Sequence, residues 1–182
     1  MPSALLLING TYHDGDYEQP TMVGLLEIED HLLSPVKTHD LQLSRILTVD
    51  PDGRIASIRA LTDEMKQDPR PAAARFQSGP AIVENGRLTT GEIAASANGN
   101  DAYKRTAIGR TEKGETVIVI SKTPRTLVDL GAQVLRVSDY RRRKLTLMNL
   151  DGGPSTAIHS AAIPSMSYGA DKVTPIVIGV TK

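Results

Sequence analysis

The stretch Met148-Asn149-Leu150-Asp151-Gly152-Gly153-Pro154-Ser155-Thr156 carries the densest chemistry in the chain. Leu145-Thr146-Leu147-Met148 alternates and then turns apolar, as a half-covered strand does. That strand delivers the Asp151 carboxylate into a turn without shielding side chains. Gly152 and Gly153 tolerate positive φ and let backbone N–H groups approach a bound group. Ser155 and Thr156 add hydroxyls. Carboxylate, bare amides and hydroxyls at one strand end are the parts of a sugar or phosphate site. The same letters also suit a plain hairpin, since Asp-Gly is a strong turn former.

Composition narrows the options. At 182 residues the chain fits one domain, residues 1–182, with room for a substantial core. Lys plus Arg and Asp plus Glu both number 21, so there is no basic field of the kind a general nucleic-acid binder needs. One Phe, five Tyr and no Trp argue against extended stacking platforms for sugars or bases. The lack of cysteine removes disulfides, thiolate metal sites and a Cys nucleophile. No run reaches the ~18 apolar residues of a membrane span, so none is expected. Ala4-Leu5-Leu6-Leu7-Ile8 is short for a signal core and has no basic leader, which implies a protein that stays inside the cell or had a leader removed.

The elements that must position the chemistry are mostly strands. Ala4–Ile8 reads as a buried strand ending at the turn Asn9-Gly10, and Val23–Ile28 as another. Ile46–Val49 and Ile55–Ile58 flank the hairpin sequence Asp50-Pro51-Asp52-Gly53. Residues 62–75 look like a short helix and a polar connection. Phe76–Val83 is a strand broken at Gly79-Pro80, followed by the turn Glu84-Asn85-Gly86-Arg87. Residues 94–104 read as a loop. Thr106–Gly109 and Thr116–Ile120 read as a pair around Glu112-Lys113-Gly114-Glu115. Leu127, Leu130, Val134 and Val137 form a helical stripe and predict a helix over 126–137. Ala157–Ile163 and Ile176–Val180 close the chain as strands. The fold class is α+β: a strand-rich domain with a mixed or antiparallel sheet and one main helix.

Taken together, several segments resemble the phosphodiester glycosidase family. Asn149-Leu150-Asp151-Gly152-Gly153-x-Ser155 matches its most recognisable motif. Leu7-Ile8-Asn9-Gly10 is similar to its Asn-Gly strand end. Gln77-Ser78-Gly79-Pro80 with Val83-Glu84-Asn85-Gly86 is similar to its Gly-Pro and Asn-Gly hairpin, and Arg105-Thr106-Ala107-Ile108-Gly109 to its Arg-Thr strand. The motifs fall in family order across residues 4–181. The chain differs at Thr11-Tyr12-His13, where the family has a second Gly and aromatics. It differs also at Pro154, in place of a third Gly, and at Lys172, near where the family carries Arg.

The resemblance implies a hydrolase that cleaves a glycosyl phosphodiester such as an N-acetylglucosamine-1-phosphate ester, with a sugar phosphate or glycan as substrate and no cofactor. Phosphate leaves readily, so the demands are charge stabilisation at C1, a positioned water or nucleophile, and donors for the phosphate. Asp151 is the expected carboxylate near C1. Arg105 is the expected phosphate clamp, because its fork fits phosphate oxygens bidentately. The amides of Gly152, Gly153 and Gly79 are further donors. Asn9, Gly10, Gln77, Thr106, Asn149 and Ser155 complete the expected substrate-binding set.

Blander readings stand beside these. Arg105 would otherwise pair with Asp101 or Glu115 on the surface, Asn9 would serve its turn, and Gln77 would be structural. A second carboxylate is not assigned from the sequence; Asp14, Asp16, Glu84, Glu92 and Asp101 are the candidates, and its spacing from Asp151 would separate retention from inversion. His13-Asp14-Gly15-Asp16 reads as a loop rather than a metal site, and no metal is assigned. His159 is an acid/base candidate but is read as a strand residue. Arg141-Arg142-Arg143-Lys144 lies about seven residues, ~20 Å, before Asp151 and reads as a solvated strand entry. Two other classes stay open: a binding module without turnover, and a structural part of a cell-envelope or phage assembly. The oligomeric state is not legible.

Overall fold

The structure is a computed structural model that describes residues 6–15, 20–61, 71–137, 139–169 and 177–180. The expected helix within 62–70, and Ala4, Leu5, Asp16, Lys172 and Ile176, lie outside the described residues.

The first part of the chain forms β1 (Leu6–Asn9), β2 (His13–Asp14), β3 (Thr21–Met22), β4 (Leu26–Ile28), β5 (His31–Ser34), β6 (Arg45–Val49) and β7 (Ile55–Ala60). Next come β8 (Ala74–Ser78), β9 (Ala81–Glu84), β10 (Arg87–Leu88), helix α1 (Thr90–Ala95), β11 (Tyr103–Arg110) and β12 (Thr116–Arg125). Helix α2 (Leu127–Arg136), β13 (Thr146–Asn149), β14 (Ile158–Ser160) and β15 (Val177–Val180) follow. The result is α+β, and every pairing between these strands is antiparallel.

Two five-stranded sheets dominate, ordered β10-β9-β13-β11-β12 and β5-β4-β8-β6-β7, with a smaller β14-β1-β15 sheet beside them. Strand period 2 explains how the first sheet serves two cores. Ala107 and Leu147 face α2 with Ile82, Leu127, Leu130 and Val134. Their neighbours Ile108 and Met148 face the opposite way, onto Ile8, Leu47, Ile58 and Phe76 of the other sheets.

Helix α2 begins at Thr126, whose hydroxyl oxygen accepts the Asp129 N–H at 3.1 Å and satisfies an otherwise unpaired donor of the first turn. Its stripe buries Leu127, Leu130 and Val134. Val137, expected as the fourth member, follows the last helical turn in extended conformation and is exposed. Gly131 lets the helix sit close: a Cβ there would meet Leu88 Cδ2 at 2.5 Å and Ile82 Cγ2 at 2.8 Å. Among the described residues no helix is long and apolar enough to cross a membrane.

Several expectations are corrected. Ala74 and Arg75, expected in a connection, begin β8, where they pair with Val49 and Thr48. The loop expected over 94–104 starts as the end of α1 and ends inside β11. Helix α1 is short, and tertiary contacts define it: Ile93 is fully buried, and Glu92 accepts two nitrogens of Arg45 from β6. Arg45 also donates to Glu84 of β9 at 2.5 Å. Ser44 Oγ (2.5 Å) and Ala81 N–H (2.7 Å) donate to Glu92 as well. Burial would raise the Glu92 carboxyl, but these donors together hold it below its ordinary value. The cluster rivets the two large sheets at one edge.

Strands β8 and β9 are one run of chain bent at the cis Gly79–Pro80 bond, so a single corner passes from one sheet to the other. The ends of β1 and β13 and the start of β11 arrive at this corner.

Candidate functional site

Backbone hydrogen bonds fasten these strand ends together. Asn149 N–H donates to Pro80 O at 3.0 Å, and Gly79 N–H donates back to Asn149 O at 3.1 Å. Ser78 Oγ also donates to Asn149 O at 2.9 Å. One residue on, Leu150 N–H donates to Thr106 O at 2.9 Å, and Asp151 N–H to Gly10 O at 3.1 Å. After Asp151 the chain makes a 3-10 turn over Gly153–Ser155 and then enters β14 of another sheet. The Asp-Gly-Gly-Pro sequence is therefore not a hairpin loop. Gly152 is required by close approach, since a Cβ there would lie 2.7 Å from Lys104 O. Gly153 is required by its φ of +59°.

This junction frames a cavity of about 150 Å³ lined by Tyr12, Gln42, Asn98, Tyr103, Arg105, Asn149, Asp151, Gly152, Gly153 and Pro154. Asp151 and Arg105 thus face the same space. Burial raises the Asp151 carboxyl above its ordinary value, opposed by the Ser155 hydroxyl, the Gly152 N–H and His13. Asp151 Oδ1 accepts the Gly152 N–H at 2.8 Å, and Oδ2 lies 3.7 Å from His13 Nδ1.

Arg105 is 4% exposed and forms no salt bridge among the described residues. Its Nε donates to Arg125 O at 3.1 Å and its Nη2 to Asn98 O at 2.8 Å and Asp101 O at 2.5 Å. The expected surface pair with Asp101 or Glu115 is replaced by these carbonyls, and Glu115 pairs instead with Arg143. Nη1 keeps its two N–H groups unspent among the described residues. Burial pulls this guanidinium down from its ordinary value, yet an arginine keeps its charge.

Of the expected substrate-binding residues, Asn149, Gly152 and Gly153 line the cavity, and the others form its frame. Asn9 is saturated: Oδ1 accepts from Thr106 Oγ1 (2.5 Å) and Ala157 N–H (3.0 Å), while Nδ2 donates to Asp151 O (2.6 Å) and more weakly to Gly10 O (3.5 Å). Thr106 spends its hydroxyl on Asn9. Gln77 is fully buried and also complete: Oε1 accepts from Leu25 N–H and Lys37 N–H, both at 3.0 Å, and Nε2 donates to Lys37 O (2.7 Å) and Leu43 O (2.6 Å). An amide side chain has no capacity beyond four such bonds. Asn9, Thr106 and Gln77, expected to touch substrate, spend these groups within the protein and hold loops in place. Gly10 serves through its carbonyl, and Ser155 through the Asp151 carboxylate. The Gly79 N–H, expected as a free donor, is occupied by Asn149 O.

Asn149 differs from the other two amides. Its Nδ2 donates to Tyr12 Oη at 2.6 Å, but its buried Oδ1 has no partner among the described residues. Tyr12 in turn donates to Gly79 O at 2.8 Å. Burial pushes its phenol up to about 12, so it stays neutral at physiological pH.

Sequence reasoning met Tyr12 and His13 only as a departure from the family and a loop, and did not single out Gln42, Asn98 or Tyr103. Tyr12 and His13 follow the Asn9-Gly10 turn directly, and a polar aromatic and an imidazole just past a strand end are a readable signal. Gln42 and Asn98 sit in connections that only the tertiary fold brings near. Among the candidate second carboxylates, Glu84 and Glu92 are committed to Arg45, and Asp101 hydrogen-bonds Arg105 through its backbone carbonyl while its carboxylate adds a weaker favourable charge contact. Asp14 is exposed on β2. Among the described residues, Asp151 is the one carboxylate lining the cavity. His159 is exposed on β14 and does not line it. Arg142, Arg143 and Lys144 form a solvated turn, paired with Asp139, Glu115 and Glu112.

Comparison with known proteins bears on the family and the fold. A family model described as phosphodiester glycosidase matches residues 3–180. No curated protein matches the chain. Among solved structures, the catalytic domain of zebrafish N-acetylglucosamine-1-phosphodiester alpha-N-acetylglucosaminidase, auto-inhibited by its pro-peptide, is similar at 15% identity with a TM-score of 0.70. That match covers 100% of this chain and 64% of the zebrafish chain, so the present chain spans less than two thirds of that length. A hypothetical protein from Synechocystis is similar at 14% identity and a TM-score of 0.51, over 86% of this chain and 47% of its own. At such identities the structural likeness speaks for the fold alone. The match of the family model along nearly the whole sequence is what assigns the chain: it belongs to the phosphodiester glycosidase family.

Proposed function

We propose that this protein hydrolyses a glycosyl phosphodiester, a sugar-1-phosphate ester of the N-acetylglucosamine type, acting as one domain over residues 1–182. The observation that carries the reading is the cavity shared by Asp151 and Arg105, where a buried guanidinium makes no salt bridge among the described residues and keeps Nη1 open among them. A buried cation in want of an anion fits a phosphodiester oxygen. The Gly153 N–H lines the same cavity and has no acceptor among the described residues, which adds a second donor. At about 150 Å³ the cavity is below the ~300–1,000 Å³ of drug-sized sites, so it takes the scissile group while the rest of the substrate lies outside.

In the reaction the bond between C1 and the phosphate oxygen breaks and its electron pair leaves with the phosphate. Water supplies the new hydroxyl at C1 and gives up a proton. Arg105 Nη1 and the Gly153 N–H receive the charge gathering on phosphate. Asp151 faces C1, offsets its positive charge and takes the proton from water. A carboxyl raised by burial is a better base than an ordinary aspartate. Asn149 Oδ1 accepts from a sugar hydroxyl or amide N–H.

The test follows free sugar from an N-acetylglucosamine-1-phosphodiester with the wild type, Asp151→Asn and Arg105→Lys. A loss of roughly 10²–10⁴-fold is expected for Asp151→Asn. Arg105→Lys should lose less, since it keeps the charge but not the fork. Equal release by all three proteins refutes the assignment.

A further inference from the structure

The Asp151 carboxylate is held from three directions. Gly152 N–H donates to Oδ1 at 2.8 Å, the Ser155 hydroxyl hydrogen-bonds the group, and His13 faces Oδ2 with Nδ1 at 3.7 Å. The first two come from the motif that carries Asp151. The third comes from the other end of the sequence, and its arrival is built into the fold. Gly10 O accepts the Asp151 N–H, and three residues later β2 pairs His13 with Met22 of β3, which fixes the backbone beneath the imidazole. Both side chains are largely covered, at 10% and 19% exposure. The separation is too long for a direct hydrogen bond, but it is within the range where a protonated imidazole and a carboxylate attract strongly when water is mostly excluded.

We propose that His13 is a positioning residue for Asp151, aligning Oδ2 by charge while Gly152 and Ser155 fix the rest of the carboxylate. The proposal rests on the reading of Asp151 as the reacting carboxylate, but it concerns a contact that can be measured without substrate. Among the described residues the other ionisable groups near the pair are few. Tyr12 precedes His13 and lines the cavity, and Arg105 enters from β11. The β3 strand opposes His13 with Met22, and the turn after Asp151 brings Pro154 and Ser155. Asp14, next to His13, is exposed. Of these groups His13 is the one that faces Oδ2, at 3.7 Å.

The experiment compares wild type with His13→Asn, which keeps a polar donor near the Nδ1 position but cannot be charged. His13→Gln serves as the second variant should the first fold poorly. The Asp151 carboxyl carbon is followed by 13C NMR through a pH titration of each folded protein, and kcat/KM is followed over the same range with the phosphodiester substrate. Loss of the charge should raise the Asp151 midpoint by about one pH unit, the low end for an opposite charge within ~4–6 Å. The acid limb of kcat/KM should move with it. An Asp151 titration that is the same in wild type and both variants overturns the proposal, because a merely structural histidine would leave it unmoved. If the carboxyl titration shifts while no phosphodiester is hydrolysed by any protein, the His13–Asp151 pairing stands and the substrate reading falls. If hydrolysis proceeds with an acid limb unchanged by the substitution, the pairing falls and the substrate reading stands.

Discussion

Replacing Gly152 by alanine tests how tightly the cavity is framed. The new Cβ would start 2.7 Å from Lys104 O, and ordinary contact begins near 3.4 Å, so the turn and β11 must part by about 0.7 Å. The obstructing atom is backbone and cannot rotate away. Lys104 directly precedes Arg105, so this movement widens the gap between the guanidinium and the carboxylate. Overpacking of this kind costs about 1–3 kcal/mol. For a chain of this size each kcal/mol lowers Tm by roughly 2–4 °C, which puts the fall at roughly 2–12 °C. Activity should suffer more, because misplacement by ~1 Å can reduce a rate about 10²-fold. Gly153→Ala is the control: it strains a φ of +59° but meets nothing within 4 Å. It should cost about 1–2 kcal/mol, leave its N–H in place and keep the rate within a few-fold. Thermal unfolding and sugar release on both variants decide the matter. A fully active Gly152→Ala, or a Gly153→Ala as damaged in rate as Gly152→Ala, refutes the reasoning.

Other substitutions separate frame from chemistry. Glu92 is held below its ordinary value, so its contribution to stability is present above the unfolded-state carboxyl range and is lost as pH falls through the folded value. Glu92→Gln should therefore destabilise by about 3 kcal/mol near neutral pH, the lower end for breaking a buried pair because Glu84 still holds Arg45. In denaturant titrations that deficit should shrink in acid. Asp151 is raised by burial, which has the opposite sign: its stabilising effect is full when the carboxyl is protonated and disappears as pH rises through the folded value. Asp151→Asn should accordingly melt above wild type at neutral pH while losing its activity, and the difference in Tm should vanish in acid. Gln77→Leu removes four hydrogen bonds and orphans the backbone groups of Leu25, Lys37 and Leu43. It should cost several kcal/mol in an unfolding titration, at about 1–3 kcal/mol per buried group left unpaired. Asn149→Leu should raise KM by removing the acceptor offered to substrate, and lower Tm as well because Tyr12 Oη loses its Nδ2 donor.

What the sequence revealed was whatever glycine, proline or asparagine marks. The corner at Gly79-Pro80, the turns at Asp50–Gly53 and Asn85-Gly86, and the turn after Asp151 at Gly153 all carry such residues, because these positions demand unusual backbone angles. Helix α2 was legible through its stripe and its Thr126 start. Helix α1 was not, because six residues hold too little periodicity and the segment is stabilised by Arg45 from a distant strand. Strand β12 was read as ending at Ile120, yet it runs on to Arg125 through the exposed Lys122, Thr123 and Pro124, which pattern alone cannot distinguish from a loop. In the site, residue types were readable but their employment was not. Asn9, Gln77 and Asn149 are all buried amides beside strand ends, and only the surroundings show which has an atom to spare.

That difference in employment bears on how a ligand must enter. Arg105 and Asp151 are each penalised by burial, in opposite directions of pKa. An anion set close to Asp151 would push its carboxyl further up and discharge the base. The same anion at Arg105 Nη1 relieves the buried cation and is screened from Asp151 by it. On the proposed reading, electrostatics orients a phosphodiester with phosphate toward β11 and sugar toward the Asp151 and Asn149 end. The orphaned Asn149 Oδ1 reinforces this polarity, because a lone acceptor repels phosphate oxygens and attracts hydroxyl or amide hydrogens. The saturated frame of Asn9, Thr106 and Gln77 fixes these groups before any ligand arrives, so little reorganisation is left for the reaction itself.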